Sequence, residues 1–376
     1  MMAGSLPQAF ESARRIVVKV GSALIAEHGK TRSLWLKSLA EDIAARRGAG
    51  QDVILVSSGA IALGRNALGP TRPRKLEEKQ AAAALGQPLL MAALAEAFAP
   101  FHIAVAQSLL TLEDTENRRR WLNARATLDT LLSIGALPVI NENDTVATDE
   151  IRYGDNDRLA ARVAQMIGAD MLVLLSDVDG LYTADPNKDE RAQHIAELNT
   201  LTAAHDAMAG PINQSVDLGS GGMATKLAAA RIAQAAGCAT IITRGDRERP
   251  LTALLDGARA TWIKSRLSPD KAREIWLKGH LTPEGAVQVD AGAAKALKNG
   301  ASLLPVGVIA VEGQFARGAA IAILDPTGAK IAKGVTAYSS DDAAKIAGSH
   351  SDQIESELGY RGRPALVHRN DLVLDA

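Results

Sequence analysis

Short β-branched apolar runs alternate with longer stretches of helical period through the first two thirds of the chain. This alternation predicts a doubly wound α/β fold, a mostly parallel sheet covered by helices on both faces. Strands are expected at Ile16–Val20, Asp52–Ser57, His102–Gln107, Leu137–Ile140, Met171–Ser176 and Thr240–Thr243. Helices are expected near Leu34–Arg47, Lys75–Phe98, Asn117–Ser133, Asp155–Ile167 and Met223–Ala236, several of them rich in alanine and therefore strong helix formers. One stretch, Ala81 to Leu112, has Glu96 as its sole formal charge and raises the question of a membrane span. Gly86, Gln87, Pro88, Pro100, His102 and Gln107 interrupt it, and alanine dominates over leucine, so the reading is a buried helix followed by a strand and no membrane partner.

From about Leu281 the texture changes, with Gly and Pro every few residues among short apolar runs such as Val287–Val289, Gly307–Val311 and Ala319–Leu324. That pattern predicts a compact β-rich module with a helix at Ala291–Lys298 behind the cap Asp290. The organisation expected is a first domain over 1–265, a linker over 266–280 containing Arg266, Pro269, Lys271 and Arg273, and a second domain over 281–376.

Composition narrows the function classes. A chain of 376 residues with 47% hydrophobic and 23% charged residues can build more than one core, and is neither disordered nor fibrous. The formal net charge of −1 removes the long-range field of a protein that lives mainly on nucleic acid or an anionic membrane. The single cysteine, Cys238, excludes an internal disulfide and a thiolate metal cage and suits a reducing cytosol. No apolar stretch of signal-peptide length precedes the charged run Glu11 to Arg15, so a cytoplasmic location is expected.

In open α/β sheets ligands sit beyond the carboxyl ends of the strands. Those ends read Lys19-Val20-Gly21-Ser22, Ser57-Ser58-Gly59-Ala60, Asn141-Glu142-Asn143-Asp144 and Ser176-Asp177-Val178-Asp179-Gly180, all small, polar or charged. Two familiar nucleotide motifs fail: Gly29-Lys30-Thr31 lacks the first glycine of a P-loop, because that position is Leu24, and the run from Gly219 to Ala224 does not complete GxGxxG. That second stretch still offers a glycine-rich turn opening a helix, with Ser220, Gly221, Gly222, Thr225 and Lys226 in its first part. Backbone amides, the helix dipole and a lysine there make an anion cradle suited to a triphosphate. Asp155, Asn156 and Asp157 open another helix; three consecutive polar side chains exceed the needs of a cap, and Asp157 is placed to hold lysines in register.

These pieces together resemble the amino acid kinase superfamily, in the branch that acts on glutamate. The resemblance spans nearly the whole chain and is carried by Val17–Ser22, Val56–Ala62, Val139–Asp144, Gly154–Asp157, Ser176–Tyr182 and Gly221–Lys226, in the family's order. It implies that Lys19 and Lys226 meet the ATP phosphates and that Asp157 orders those lysines. It implies further that Ser58, Asp144 and Asn156 bind glutamate, and that Ser176, Asp177 and the run Ser220, Gly221, Gly222, Met223, Ala224, Thr225 and Lys226 bind the nucleotide. Ser176 stands where Thr is frequent, and Ala23 where a further hydroxyl often follows Ser22. The second domain resembles a PUA module.

The chemistry fits this inventory. A carboxylate with a pKa of ~4.3 is ionised at neutral pH, so its phosphorylation needs no general base. What it needs is in-line placement and neutralisation of two anions. No His, Cys or carboxylate spacing suggests a fixed metal cage, so Mg²⁺ is expected to arrive with ATP. The family is commonly inhibited by proline, which makes Asp114 and its surroundings a candidate sensor beside Arg118-Arg119-Arg120. Competing acceptors within the class are N-acetylglutamate, aspartate, carbamate and UMP. The rival class is an RNA binder, since PUA-like modules occur in RNA-modifying proteins; residues 281–376 carry 9 Lys and Arg against 11 Asp and Glu, with only Phe315, Tyr338 and Tyr360 as aromatics, which argues against it. The module is expected instead to serve a homo-oligomer or regulation. Acyl phosphates hydrolyse easily, so coupling to the next enzyme of the path is a chemical expectation for which no residue here argues.

Overall fold

The structure, a computed structural model, describes residues 4–69, 73, 75–147, 155–209 and 222–375. It divides into two compact units, one of residues 1–117 and 123–269, the other of residues 118–122 and 270–376. The stretch expected as a linker carries a helix, Pro269–His280.

The first unit is built on an eight-stranded sheet: β1 Arg15–Val20, β2 Asp52–Ser57, β3 Val105–Leu110, β4 Leu137–Glu142, β5 Met171–Ser176, β6 Glu197–Leu198, β7 Ala239–Arg244 and β8 Ala260–Ile263. Their spatial order is β6-β8-β7-β5-β1-β2-β4-β3. All contiguous pairs are parallel except β7 with β8, which is antiparallel. The chain winds from β1 through β2 to one side and returns to β5 on the other, so the order reverses at β1. This is where an open sheet leaves a crevice beyond its strand ends. β1, β2 and β5 are buried along nearly their whole length, as strands covered on both faces must be, which is why their sequences read as continuous apolar runs.

The longer helices and the short one after β2 are α1 Ser33–Gly48, α2 Ala60–Gly64, α3 Leu76–Phe98, α4 Arg118–Ser133, α5 Asp155–Ile167 and α6 Met223–Ala235, with the first residues of α4 belonging to the second unit. Strands β2 and β5 and helix α5 coincide with the sequence expectation. β3 begins three residues later than expected, because a 3₁₀ turn at Ala99–Phe101 ends on His102 in the left-handed region, φ 55°, and delays the extended run. Strands β6 and β8 were not anticipated. β6 is only two residues long, and the apolar alternation of β8 is short.

Helix α3 was expected to be buried; only its inner face is. Ala82, Ala83, Gly86, Leu90 and Leu94 face inward, whereas Leu85 and Leu89 are 47% and 54% exposed. Among the described residues one helix, Leu76–Phe101, is long and apolar enough to cross a membrane, and 39% of that window is buried in the fold. Its inner face meets α2 backbone to backbone. A Cβ on Gly64 would run into the Ala82 carbonyl, and one on Gly86 into the Ala60 carbonyl, so both positions require glycine for this approach. Gly59, at φ 109°, turns β2 into α2 in a conformation that side chains rarely adopt.

The second unit carries a five-stranded sheet with β9 Gly285–Val289, β10 Val308–Glu312, β11 Ala320–Leu324, β12 Lys330–Val335 and β13 Leu372–Leu374, in the order β10-β9-β11-β12-β13. Its core gathers Val287, Val289, Leu297, Ile321, Ile323 and Tyr338. The helix at Ala291–Lys298 forms as expected, and the Asp290 carboxylate accepts the Ala293 N–H at 2.6 Å as its cap.

Candidate active site

Three strand ends and two helix starts converge at the crevice where the strand order reverses. β1 supplies Lys19, whose Cα is in register with Val56 of β2 and Leu174 of β5, at the centre of the sheet. α5 supplies Asp157 and α6 supplies Lys226, each in the first turn of its helix. Lys19 Nζ lies 2.7 Å from Asp157 Oδ1, and Lys226 Nζ 3.5 Å from Asp157 Oδ2. The Thr225 hydroxyl is 3.1 Å from the same Oδ2 and 2.8 Å from the Gly222 carbonyl. The side chains are 6%, 0% and 5% exposed for Lys19, Asp157 and Lys226, so water does little of the screening.

Burial pushes the Asp157 carboxyl up, but the charges of Lys19 and Lys226, with hydrogen bonds from Lys19 and Thr225, outweigh it and hold the group below the usual carboxylate range. Burial depresses the Lys226 ammonium, and Asp157 offsets only part of that. Among the described residues two buried ammonium groups therefore share one buried carboxylate, with Asp177 a weaker and exposed attraction at the rim. An excess of buried positive charge is costly unless an anion completes it. The cluster is chemically a receptor for phosphate oxygens.

A second, neutral cluster adjoins it. Asn156, next to Asp157 on α5, points its Nδ2 at Ser58 Oγ (2.7 Å), Asn141 Oδ1 (3.1 Å) and the Ser57 carbonyl (3.3 Å). Asn141 at the end of β4 in turn donates to Gln87 Oε1 of α3 at 2.9 Å. Asp144 is 9% exposed on the turn that follows β4. That turn is tied down by Asn143 N–H on the Leu110 carbonyl (3.0 Å) and by Gln80 Nε2 on the Ala147 carbonyl (3.1 Å).

The structure thus joins Lys19, Asp157, Lys226 and Thr225 in one contact set and Ser58 and Asn156 in a second. Ser176 closes β5 with its hydroxyl on Asp177 Oδ1 at 2.8 Å, and its carbonyl accepts the Gly245 N–H at 2.7 Å. Gly222 caps α6, followed by Met223, Ala224 and Thr225 in its first turn. Ser220 and Gly221 lie outside the described residues, as do Arg152, Tyr153 and Gly154. The Asp114 carboxylate is engaged at the start of a short helix, where it accepts from the Thr111 N–H and hydroxyl, both at 2.8 Å. Gln87 and Asn141 were not singled out as site residues. The available signal was an amide interrupting the alanine-rich part of a helix, and an asparagine at a strand end that already belonged to a motif.

The residues able to meet a divalent cation are few here. Asp157 is already engaged by both lysines, and among the described residues no group of three or more His, Cys, Asp or Glu side chains converges.

Comparison with known proteins follows the same division of the chain. The amino acid kinase family profile matches residues 14–244 and the PUA domain profile residues 285–358. The chain is 58% identical over 369 residues to the glutamate 5-kinase of Caulobacter vibrioides (strain NA1000 / CB15N), covering 97% of this chain and 98% of that protein. It is 55% identical to the glutamate 5-kinase of Paramagnetospirillum magneticum, covering 97% and 98%, and 56% identical to that of Brucella anthropi, covering 96% of each. Likeness of this depth along nearly the full length of each partner leaves one assignment: the chain belongs to the amino acid kinase family, in its glutamate 5-kinase branch, and carries a PUA domain behind the kinase domain.

Proposed function

We propose that the protein transfers the γ-phosphoryl group of MgATP to the γ-carboxylate of L-glutamate, giving γ-glutamyl phosphate and ADP, the opening step of proline synthesis in the cytoplasm. The observation that carries this reading is the pair of buried lysines sharing Asp157 at the sheet's switch point, beside a neutral amide and hydroxyl cluster. The carboxylate oxygen forms the new bond to γ-phosphorus as the bond from γ-phosphorus to the β,γ-bridging oxygen breaks, and ADP leaves with that electron pair. No proton has to be removed, since the acceptor is already ionised. Lys19 and Lys226 neutralise charge on the transferring group, and Asp157 holds them at fixed spacing so that little reorganisation accompanies the reaction. Ser176, Asp177, Gly222, Met223, Ala224 and Thr225 line the nucleotide side. Ser58, Asp144 and Asn156 line the acceptor side, where Ser58 and Asn156 offer neutral polar groups and the Asp144 carboxylate suits the ammonium group of an amino acid.

The test is ATP- and Mg²⁺-dependent hydroxamate formation, with hydroxylamine trapping the acyl phosphate, run in parallel on glutamate, aspartate and N-acetylglutamate. A glutamate-selective signal is expected. Signal with another acid alone overturns the acceptor, and silence with all three from folded, ATP-binding protein overturns the reaction. Proline is expected to inhibit in competition with glutamate, and an unchanged rate under proline titration would remove that regulation. The Asp114→Asn variant separates sensing from capping: lost inhibition with an unchanged melting temperature is the sensing result.

A further inference from the structure

Along the alanine- and leucine-rich inner face of α3 from Ala82 to Leu94, Gln87 is the one amide, and an amide among apolar neighbours calls for a reason. Its contacts supply one. Gln87 Oε1 accepts from Asn141 Nδ2, so Asn141 presents its oxygen to the other side, where it accepts the Glu142 N–H at 2.9 Å and Asn156 Nδ2 at 3.1 Å. Asn156 then presents its NH₂ to Ser58 as well. The Glu142 N–H and Gln87 Oε1 together fix the Asn141 amide, one at its oxygen and the other at its nitrogen, and Asn141 in turn orients Asn156. The backbone contact between Gly64 and Gly86 brings α3 close enough for the Gln87 contact, since Gly86 directly precedes Gln87. One side chain seven residues earlier on the same helix, Gln80, holds the Ala147 carbonyl beyond Asp144. Residues spaced by seven lie on one helix face, so α3 grips the strand end and its following turn at two points.

We infer that Gln87 is a positioning residue of the acceptor site, orienting Asn141 and through it Asn156 and Ser58. This rests on the acceptor-side reading given above. Stability alone would not favour the arrangement. Among the described residues Gln87 Nε2 and Asn156 Oδ1 are both buried without a partner, and a half-satisfied amide network is less stable than apolar packing of the same volume. Local rules broken in this way mark places selected for function.

The experiment compares full-length wild type with Gln87→Met and Gln87→Leu, reading KM for glutamate and for ATP, kcat and the melting temperature. Loss of the acceptor for Asn141 is expected to raise the glutamate KM about tenfold, the scale of one buried hydrogen bond, with the ATP KM within about twofold. The double variant Gln87→Met, Asn141→Ala is expected to have the same glutamate KM as Asn141→Ala alone, because Gln87 acts through Asn141. An unchanged glutamate KM in a folded Gln87 variant overturns the inference, as do equal rises for both substrates or additive effects in the double variant. Should wild type prefer another carboxylic acid, the substrate assignment falls by itself, and the same KM comparison on that acid decides the role of Gln87.

Discussion

The two ends of the central sheet are both held by ion pairs, and they differ in balance. At the amino end Arg15 bonds Asp52 at 3.0 Å and Asp129 at 3.2 Å, and Arg125 lies 3.7 Å from Asp129. There, among the described residues, two guanidinium groups meet two carboxylates; Arg15, Asp52 and Asp129 keep 26–44% of their side-chain surface in contact with water, and Arg125 keeps 11%. At the carboxyl end, among the described residues, two ammonium groups meet one carboxylate, all nearly sealed from solvent. A balanced, wet cluster locks chain segments together and asks for nothing more. An unbalanced, dry one is stable only at a cost, and that cost falls when an anion enters. The imbalance, more than the presence of charge, sets the carboxyl end of the sheet apart from the amino end and supports the site proposed there.

The comparison breaks most visibly at Asp157. Asp157→Asn leaves two buried ammonium groups facing each other, and unfolding in urea is expected to show a loss of about 3–5 kcal/mol, the scale of a buried pair deprived of one partner. A loss below 1 kcal/mol would mean that the lysines are better solvated than their burial indicates. Next comes Lys226→Ala, expected to lower kcat by about 100-fold or more, equivalent to roughly 2.7 kcal/mol, the effect of removing one strong transition-state donor. Near-normal turnover in that variant would remove Lys226 from the phosphate site.

Much of this contrast was legible in the sequence, for a physical reason. Lys19, Asp157 and Lys226 sit in or beside regular elements whose ends the pattern marks: a continuous apolar strand, a capped helix start and a glycine-rich turn. The fold class followed from the same alternation. What was hidden depends on approach between distant segments. Gln87 looks like an interruption of an apolar helix until Gly64 and Gly86 bring two backbones together, and neither glycine announces its partner. Arg15 and Asp129 are 114 positions apart, so no local spacing could have paired them. The outer face of α3 was misjudged because alanine and leucine carry no sign of which side meets the core.

A change of pH separates the roles of the charges at the carboxyl end. Burial depresses the Lys226 ammonium below its ordinary value of 10.5, so kcat/KM is expected to fall on the alkaline side before that value is reached. Stability moves the other way. Between the depressed value and 10.5 the unfolded chain binds the additional proton, so the contribution of Lys226 to stability rises with pH. Asp157 acts at the other limit: its carboxyl is held below 3.8, so the stability it supplies is full above that value and is lost as pH falls through the folded value. Activity that persists unchanged through the normal lysine range would contradict the proposed role of this buried ammonium in the reaction.

The smallest effect is expected at the amino end. Asp52→Asn removes one partner of Arg15, but Arg15 keeps Asp129 and the Ile167 carbonyl at 2.6 Å, and water reaches the site. Partly exposed pairs of this kind contribute about 0.2–1 kcal/mol, so the urea midpoint should move slightly and the KM for ATP and for glutamate not at all. The distinction matters because β2 begins at Asp52 and ends at Ser57, directly before Ser58. A strand is stiff along its length, and a disturbance at its foot could reach the acceptor side if the sheet transmitted it. Unchanged kinetic constants beside a small shift in stability would establish that the central strands isolate the two ends. A rise in the glutamate KM alone would show that β2 carries the register of its first residue to Ser58, making the balanced cluster part of the site's geometry.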